Sequence, residues 1–173
     1  AWQYAAREHG EPMWLGGASA GAWLAAGVAV RLRDGEGPQP LGLGFLYGLF
    51  HGVLPQASVE LRRRLFGLSD LRVVQEMVRR AAVNHVGSAE HLGDPAIFAG
   101  LAELEGLPPV HMLNADRDML RASAENFARR LTRAGVPHEG WYVRGTRHGF
   151  LSRTDWPAFT AGTKALAQWL GGS

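Results

Sequence analysis

Residues 17–21 read GASAG and stand between a short apolar run and a long stretch of small and apolar residues. The run at residues 13–15 suits a buried strand, and residues 20–32 suit a helix buried against a sheet. A strand that turns directly into a helix needs nearly bare residues on both sides of the turn, because the reversal brings backbone against backbone. This junction restricts the chain to folds in which a strand leads directly into a buried helix.

The remaining apolar runs place this junction in a larger pattern. Residues 41–47, 110–113 and 141–143 predict three further strands, and helical patterns lie between or after them. Continuous rather than alternating apolar runs favour a parallel sheet covered on both faces. Residues 55–93 carry apolar residues and arginines at helical spacing. The sequence predicts one α/β domain over residues 1–173, a parallel sheet flanked by helices, with a helical insertion at about 55–93.

Composition excludes several classes of protein. The net charge is only +2, and arginines are dispersed among apolar residues, which is typical of solvated helix faces and not of a nucleic-acid surface. The absence of cysteine excludes disulfides and thiol catalysis. The absence of cysteine does not decide the compartment, and a cytoplasmic location is the expectation. Glycines interrupt the apolar stretch at residues 13–30 and no basic segment leads into it, so no membrane anchor is predicted.

Ser19 lies at the centre of the GASAG turn, and a catalytic serine needs a base to take its proton. His148 is the predicted base, because its loop follows the last strand and there points along the carboxyl edge of the sheet. His111, within a strand, is expected to be a hydrogen-bonded core residue, and His51 to line the pocket. The other histidines are expected at the surface: His9, His85, His91 and His138. None has metal-ligand spacing such as H-E-x-x-H, so no metal or other cofactor is predicted.

The base needs a carboxylate to hold it in the right tautomer. Residues 114–120 read NADRDML, follow the strand that precedes the His148 strand, and offer Asp116 and Asp118. The order Ser19, aspartate, His148 is the order described for α/β-hydrolases. An aspartate before a helix also serves as a simple helix cap, and one member of the pair is expected to do so.

With these motifs the chain resembles the esterase branch of α/β-hydrolases related to hormone-sensitive lipase. The matching segments are GASAG with Leu24 and Ala25 after it, GLPP at 106–109, DMLR at 118–121, AGVP at 134–137 and HGF at 148–150. The sequence departs from the family in having Ala18 and Ala22 where an aspartate and a second glycine are usual. The resemblance implies that Asp118, not Asp116, completes the triad.

The resemblance also implies a chemistry. A carboxylic-ester hydrolase of this kind uses Ser19 as nucleophile, His148 as general base, Asp118 as its partner and the Ala20 N–H as an oxyanion donor. The insertion at about 55–93 falls where such enzymes place cap helices. The cap residues expected near a pocket for short or medium acyl groups are Leu61, Leu65, Phe66, Met77 and Val78.

The resemblance covers the later part of the family's fold. Only eighteen residues precede Ser19, and none can be the family's histidine-glycine loop that supplies other oxyanion donors. The strand before Ser19 is expected to be an open, apolar edge that an upstream segment or a second copy of the chain covers. Two alternatives stay open: an inactive fragment or pseudoenzyme with a binding or assembly role, and a peptidase or amidase on the same fold.

Overall fold

The computed structural model of the chain describes residues 2–10, 13–65 and 71–171. Helices and strands alternate through most of it, and none of the helices in these ranges is long and apolar enough to cross a membrane. The helices are α1 Trp2–His9, α2 Ala20–Arg31, α3 Val59–Leu65, α4 Leu71–Val86, α5 Arg121–Arg133 and α6 Pro157–Gly171, and the strands are β1 Trp14–Ala18, β2 Gly42–Leu46, β3 Val110–Ala115 and β4 His138–Val143.

The four strands form one parallel sheet in the order β1-β2-β3-β4. All six residues of β3 are buried, as expected for a strand covered on both faces. In β4 the four middle residues are exposed, so the prediction that both faces are covered fails there. Within the described residues β1 and β4 are the edge strands of the sheet, and an edge strand has neighbours on one side only. The predicted parallel α/β architecture is confirmed.

Helices lie on both faces of the sheet. On one face α2 and α5 pack on the side chains of β2 and β3, and the ring of Phe50 stacks on that of Phe127 at 4.1 Å between centroids. On the other face α6 approaches closely at buried Gly162, and the Trp169 ring lies against Gly44 of β2. This arrangement leaves the carboxyl ends of the strands, with the loops that follow them, at one edge of the sheet.

The predicted helical segment at 55–93 contains α3, α4 and a short 3₁₀ helix at Ala89–Gly93. Leu61 and Leu65 on α3 are buried and pack on Met119 and Ala122 beyond β3. This contact brings α3 to the carboxyl edge of the sheet. A cap function for the segment stays a prediction.

His111 differs from its prediction. Its side chain is buried in β3 between the rings of Trp141 and Trp169, at 3.9 and 4.5 Å between centroids. Neither ring nitrogen has a hydrogen-bond partner in the structure. The location in the core was predicted correctly and the hydrogen bonding was not, because the aromatic rings that surround the imidazole come from β4 and α6. Burial lowers the pKa of His111 to about 4.

The buried imidazole predicts acid sensitivity. The pKa of this histidine is near 4 in the folded chain and near 6.5 in the unfolded chain. Between these pH values only the unfolded chain binds the proton, so the free energy of unfolding falls as the pH drops from about 6.5 to about 4. Replacing His111 with phenylalanine should reduce this loss by up to about 3 kcal/mol, measured as the free energy of unfolding in urea at pH 7 and pH 4. His9→Phe on the exposed face of α1 is the control. An unchanged pH dependence in the His111 variant would contradict the assignment.

Candidate active site

Ser19 occupies the turn between β1 and α2 with φ 56° and ψ −120°. Positive φ is uncommon for a residue with a side chain, and such strain is typical of functional turns. The turn is tied to the loop after β2, because the Ser19 N–H donates to the Leu46 carbonyl at 2.9 Å and the Ser19 carbonyl accepts from the Leu49 N–H at 3.2 Å. The serine is thereby held at the carboxyl edge of the sheet.

The two glycines of the GASAG turn have different roles. A Cβ at Gly17 would overlap the carbonyl of Gly21 and lie 2.8 Å from the Ala22 nitrogen, so the turn has no space for a side chain there. A Cβ at Gly21 would meet no atom within 4 Å. The steric reason given for bare residues on both sides of the turn therefore holds for Gly17 and is wrong for Gly21.

This difference gives a matched pair of variants. We expect Gly17→Ala to destabilise the chain by about 2 kcal/mol or more, because rigid backbone atoms must move. Gly21→Ala should be neutral or stabilising by up to about 1 kcal/mol, since alanine favours the helix. Urea unfolding of both variants measures the difference, and equal stabilities would show that the strand and the helix separate easily at the turn.

The structure brings Ser19, His148 and Asp118 together. The Ser19 Oγ lies 2.9 Å from Nε2 of His148, and Nδ1 of the same ring lies 2.7 Å from Oδ2 of Asp118. Asp118 is buried, whereas 40% of the His148 side chain is exposed. With a neutral imidazole, the Nδ1 N–H donates to the carboxylate and Nε2 accepts from the serine hydroxyl. This geometry lets the ring take the serine proton.

The two aspartates after β3 have separate partners. Asp118 also accepts a hydrogen bond from the Leu120 N–H at 2.9 Å through Oδ1, so it is the residue with the cap-like bond. The Asp116 carboxylate instead contacts Arg64 of α3 at 2.8 Å and Arg121 of α5 at 3.4 Å. Asp116 makes no contact with His148 in the described structure. Of the two aspartates, Asp118 is the one that contacts the His148 ring.

Asp116 and Thr146 join the loops that carry Asp118 and His148. The Asp116 Oδ2 accepts from the Gly145 N–H at 2.9 Å, and the Arg117 N–H donates to the Thr146 carbonyl at 2.8 Å. The Thr146 hydroxyl donates to the Val143 carbonyl at 2.5 Å and lies 3.3 Å from the Asp116 nitrogen. These bonds hold the two loops side by side, which fixes the distance between the carboxylate and the imidazole.

Tyr47 is a residue of this site that was read from the sequence only as the end of a strand. Its backbone has φ 38°, and its buried ring packs edge-on against His148 at 5.1 Å and Phe150 at 5.6 Å between centroids. Burial and the nearby Asp118 carboxylate raise the pKa of the Tyr47 phenol. A strained tyrosine against the imidazole restricts the orientation of that ring. The contact spans distant parts of the sequence, so no local pattern indicates it.

A cavity of about 350 Å³ opens beside His148. Of the residues expected to form a pocket, Leu65, Met77 and Val78 line it, whereas Leu61 is buried beneath and Phe66 lies outside the described residues. The sequence did not indicate the other lining residues: Val74, Arg117, Met119, Leu120 and Arg147.

The other predicted positions divide between site and core. Ala20 is the first residue of α2, so its N–H has no acceptor within the helix and is available beside Ser19. His51 was expected to line the cavity, but it is not among the lining residues. Its Nδ1 lies 2.8 Å from Ser123 Oγ and its Nε2 lies 3.1 Å from Asn126 Oδ1. Burial lowers the pKa of His51 to about 4. The ring packs on α5 as a neutral core residue.

Comparison with known families gives one match over most of the chain. A family model described as alpha/beta hydrolase fold matches residues 1–152. A comparison with curated proteins found no match.

Solved structures share the fold at low sequence identity. The hormone-sensitive lipase homologue EstE7 from a metagenome library has a TM-score of 0.84 and 22% identity, over 99% of this chain and 59% of that one. A hormone-sensitive lipase from a metagenome library has a TM-score of 0.81 and 21% identity, over 99% and 58%. Carboxyl esterase 2 of Tuber melanosporum has a TM-score of 0.78 and 23% identity, over 96% and 57%. The chain therefore spans less than two thirds of each of these proteins.

Proposed function

The chain belongs to the alpha/beta hydrolase fold family, and from this premise we propose that it is a serine hydrolase of carboxylic esters with Ser19, His148 and Asp118 as its triad. The observation that carries the proposal is the hydrogen-bonded series from the Ser19 hydroxyl through the His148 ring to the Asp118 carboxylate. This series lies at the carboxyl edge of the sheet, where α/β folds place their active sites. Small-molecule esters are the proposed substrate class.

The first half of the reaction acylates the serine. His148 Nε2 takes the hydroxyl proton as Ser19 Oγ attacks the ester carbonyl, and the buried Asp118 carboxylate stabilises the imidazolium that forms. The imidazolium then gives this proton to the leaving alcohol as the ester C–O bond breaks. The acyl group is left on Ser19.

The second half of the reaction hydrolyses the acyl-enzyme and regenerates the free serine. A water molecule gives its proton to His148 Nε2 and attacks the acyl carbon, and the imidazolium reprotonates Ser19 Oγ as the acid leaves. The negative oxygen that develops in both halves needs hydrogen-bond donors. The Ala20 N–H at the start of α2 is the donor that we propose for this oxygen.

The cavity beside His148 is of a size to bind the short or medium acyl or alcohol group of an ester. Its volume of about 350 Å³ is at the lower end of the range for small-molecule pockets, and Leu65, Met77, Val78 and Met119 give it an apolar wall. A series of p-nitrophenyl esters of increasing acyl length measures the fit. Highest rates on long-chain emulsions would instead indicate an open, lipase-like pocket.

A fluorophosphonate probe tests the proposed nucleophile directly. The probe should label the protein at Ser19, and labelling should be abolished in Ser19→Ala and strongly slowed in His148→Ala, because it requires an activated serine. Absence of labelling in the wild-type chain would favour the alternative of a binding or assembly role. Faster cleavage of an amide than of the ester of the same acyl group would instead indicate a peptidase or amidase.

A further inference from the structure

Two arginines line the cavity beside the triad. Arg117 directly precedes Asp118 and Arg147 directly precedes His148, so each enters the cavity from a loop that carries a triad residue. Neither is required by the acylation chemistry. A cavity with a largely apolar lining to which two arginines also contribute has positive charge close to the proposed nucleophile.

Other arginines at this edge of the sheet are already paired. Arg64 contacts Glu60 and Asp116, and Arg121 contacts Glu60, Asp116 and Glu125. These ion pairs fasten α3 and α5 to the loop after β3.

The two cavity arginines differ from them. In the described ranges 2–10, 13–65 and 71–171, neither Arg117 nor Arg147 forms an ion pair with an acidic residue. Arg117 is partly fixed, because its Nε donates to the Arg64 carbonyl at 3.2 Å, which leaves its terminal nitrogens for a ligand. Arg147 is exposed to solvent. Their charges are available to a molecule in the cavity.

In the described residues, the carboxylate within the cavity lining forms no ion pair with either arginine. Asp118 is the acidic residue among those that line it, and both of its oxygens are engaged, one by His148 and one by the Leu120 N–H. Guanidinium groups bind carboxylates through paired, charge-assisted hydrogen bonds, and apolar surroundings strengthen such bonds. The cavity therefore combines apolar surface for a short chain with a site for an anion.

We propose that the cavity selects esters that carry a carboxylate, which Arg117 and Arg147 bind while Ser19 attacks the ester carbonyl. The proposal rests on the proposed ester hydrolysis and adds the substrate class. The carboxylate can be part of the acyl group or of the alcohol group of the ester, and the two substrate pairs below distinguish these cases.

Matched substrates isolate the charge. Mono-p-nitrophenyl adipate against its terminal amide tests the acyl side, and 4-(butyryloxy)benzoate against 4-(butyryloxy)benzamide tests the alcohol side. We expect kcat/KM to favour the anionic member of at least one pair by about 10-fold or more. Raising the salt concentration should reduce the preference, because screening weakens charge pairing at an open pocket. Equal rates within both pairs would overturn the proposal.

Variants assign the effect to the two residues. Arg117→Gln and Arg147→Gln should each lower kcat/KM for the preferred anionic ester about 10-fold more than kcat/KM for its neutral partner. Arg129→Gln removes the same charge from the exposed face of α5 and should change neither. Circular dichroism checks that each variant folds. A preference that survives in the double variant would place the anion elsewhere.

A binding measurement separates this inference from the proposed function. Nuclear magnetic resonance of the arginine Nε–H signals, with hexanoate and hexanamide as probes, needs no turnover. Hexanoate should shift the signals of Arg117 and Arg147 in the wild-type chain, and hexanamide should not. If no ester is cleaved but hexanoate shifts these signals, the hydrolase proposal fails and the anion site stands. Equal shifts with both probes would reject the anion site alone.

Discussion

Replacing Ser19 with alanine is expected to lower ester turnover by on the order of 10⁴- to 10⁶-fold, one of the largest effects that we predict for a single change. The hydroxyl 2.9 Å from His148 Nε2 is the proposed nucleophile, and no acyl-enzyme forms without it. The activity left over would be that of the water reaction aided by binding and by the oxyanion donor. The measurement is kcat on a p-nitrophenyl ester.

His148→Ala should cause a loss of the same order, because the serine and the base act as one unit and their effects are far from additive. The double variant should therefore be little worse than either single variant. Both side chains lie at the open edge of the sheet, so both variants should still fold. If His148→Ala kept more than about a tenth of the activity, a loss below about 1.4 kcal/mol, another group would be the base.

The second large effect is expected at the two aspartates after β3. Asp118→Asn should lower kcat by about 10⁴-fold. An amide at this position donates to Nδ1 of His148, which moves the ring proton to Nε2, where it faces the Ser19 hydroxyl instead of accepting from it. The triad would keep its shape and lose its base.

Asp116→Asn should act on stability instead. The buried Asp116 carboxylate contacts Arg64 and Arg121 and accepts from the Gly145 N–H, so its loss weakens the link between the two catalytic loops. We expect a destabilisation of about 1–3 kcal/mol and a fall in kcat of less than about 10-fold. Urea unfolding and kinetics on both asparagine variants separate the two roles. A reversed order of kcat at unchanged stability would move the triad assignment to Asp116.

Much of the architecture follows from local sequence patterns. The apolar run before Ser19, the small residues of α2 and the stop at Gly135 and Pro137 each act within a few residues, through backbone sterics and periodicity. They predict the parallel strands and most helix bounds, although β4 begins at His138, three residues before the apolar run at 141–143. Gly17 belongs to the same class, because the crowding that excludes a side chain arises within the turn itself.

The candidate triad could be proposed for a related reason. In a parallel sheet the loops after the strands meet at one edge, so Ser19, His148 and an aspartate after β3 were expected there before any distance was known. The local sequence pattern could not decide between Asp116 and Asp118, because both lie in the same loop. The resemblance favoured Asp118, and the two differ in their distant partners: His148 lies 30 residues from Asp118, and Arg64 lies 52 residues from Asp116.

Tertiary contacts alone decided the remaining features. Tyr47 contacts His148, and His111 lies between two tryptophans, through packing of elements far apart in the chain. The arginines beside the triad look in sequence like any solvated arginine, and only the fold places them in one apolar cavity. Periodicity and turn chemistry determined which elements form. The partners of each buried or charged side chain depend on how those elements pack, which short-range sequence does not encode.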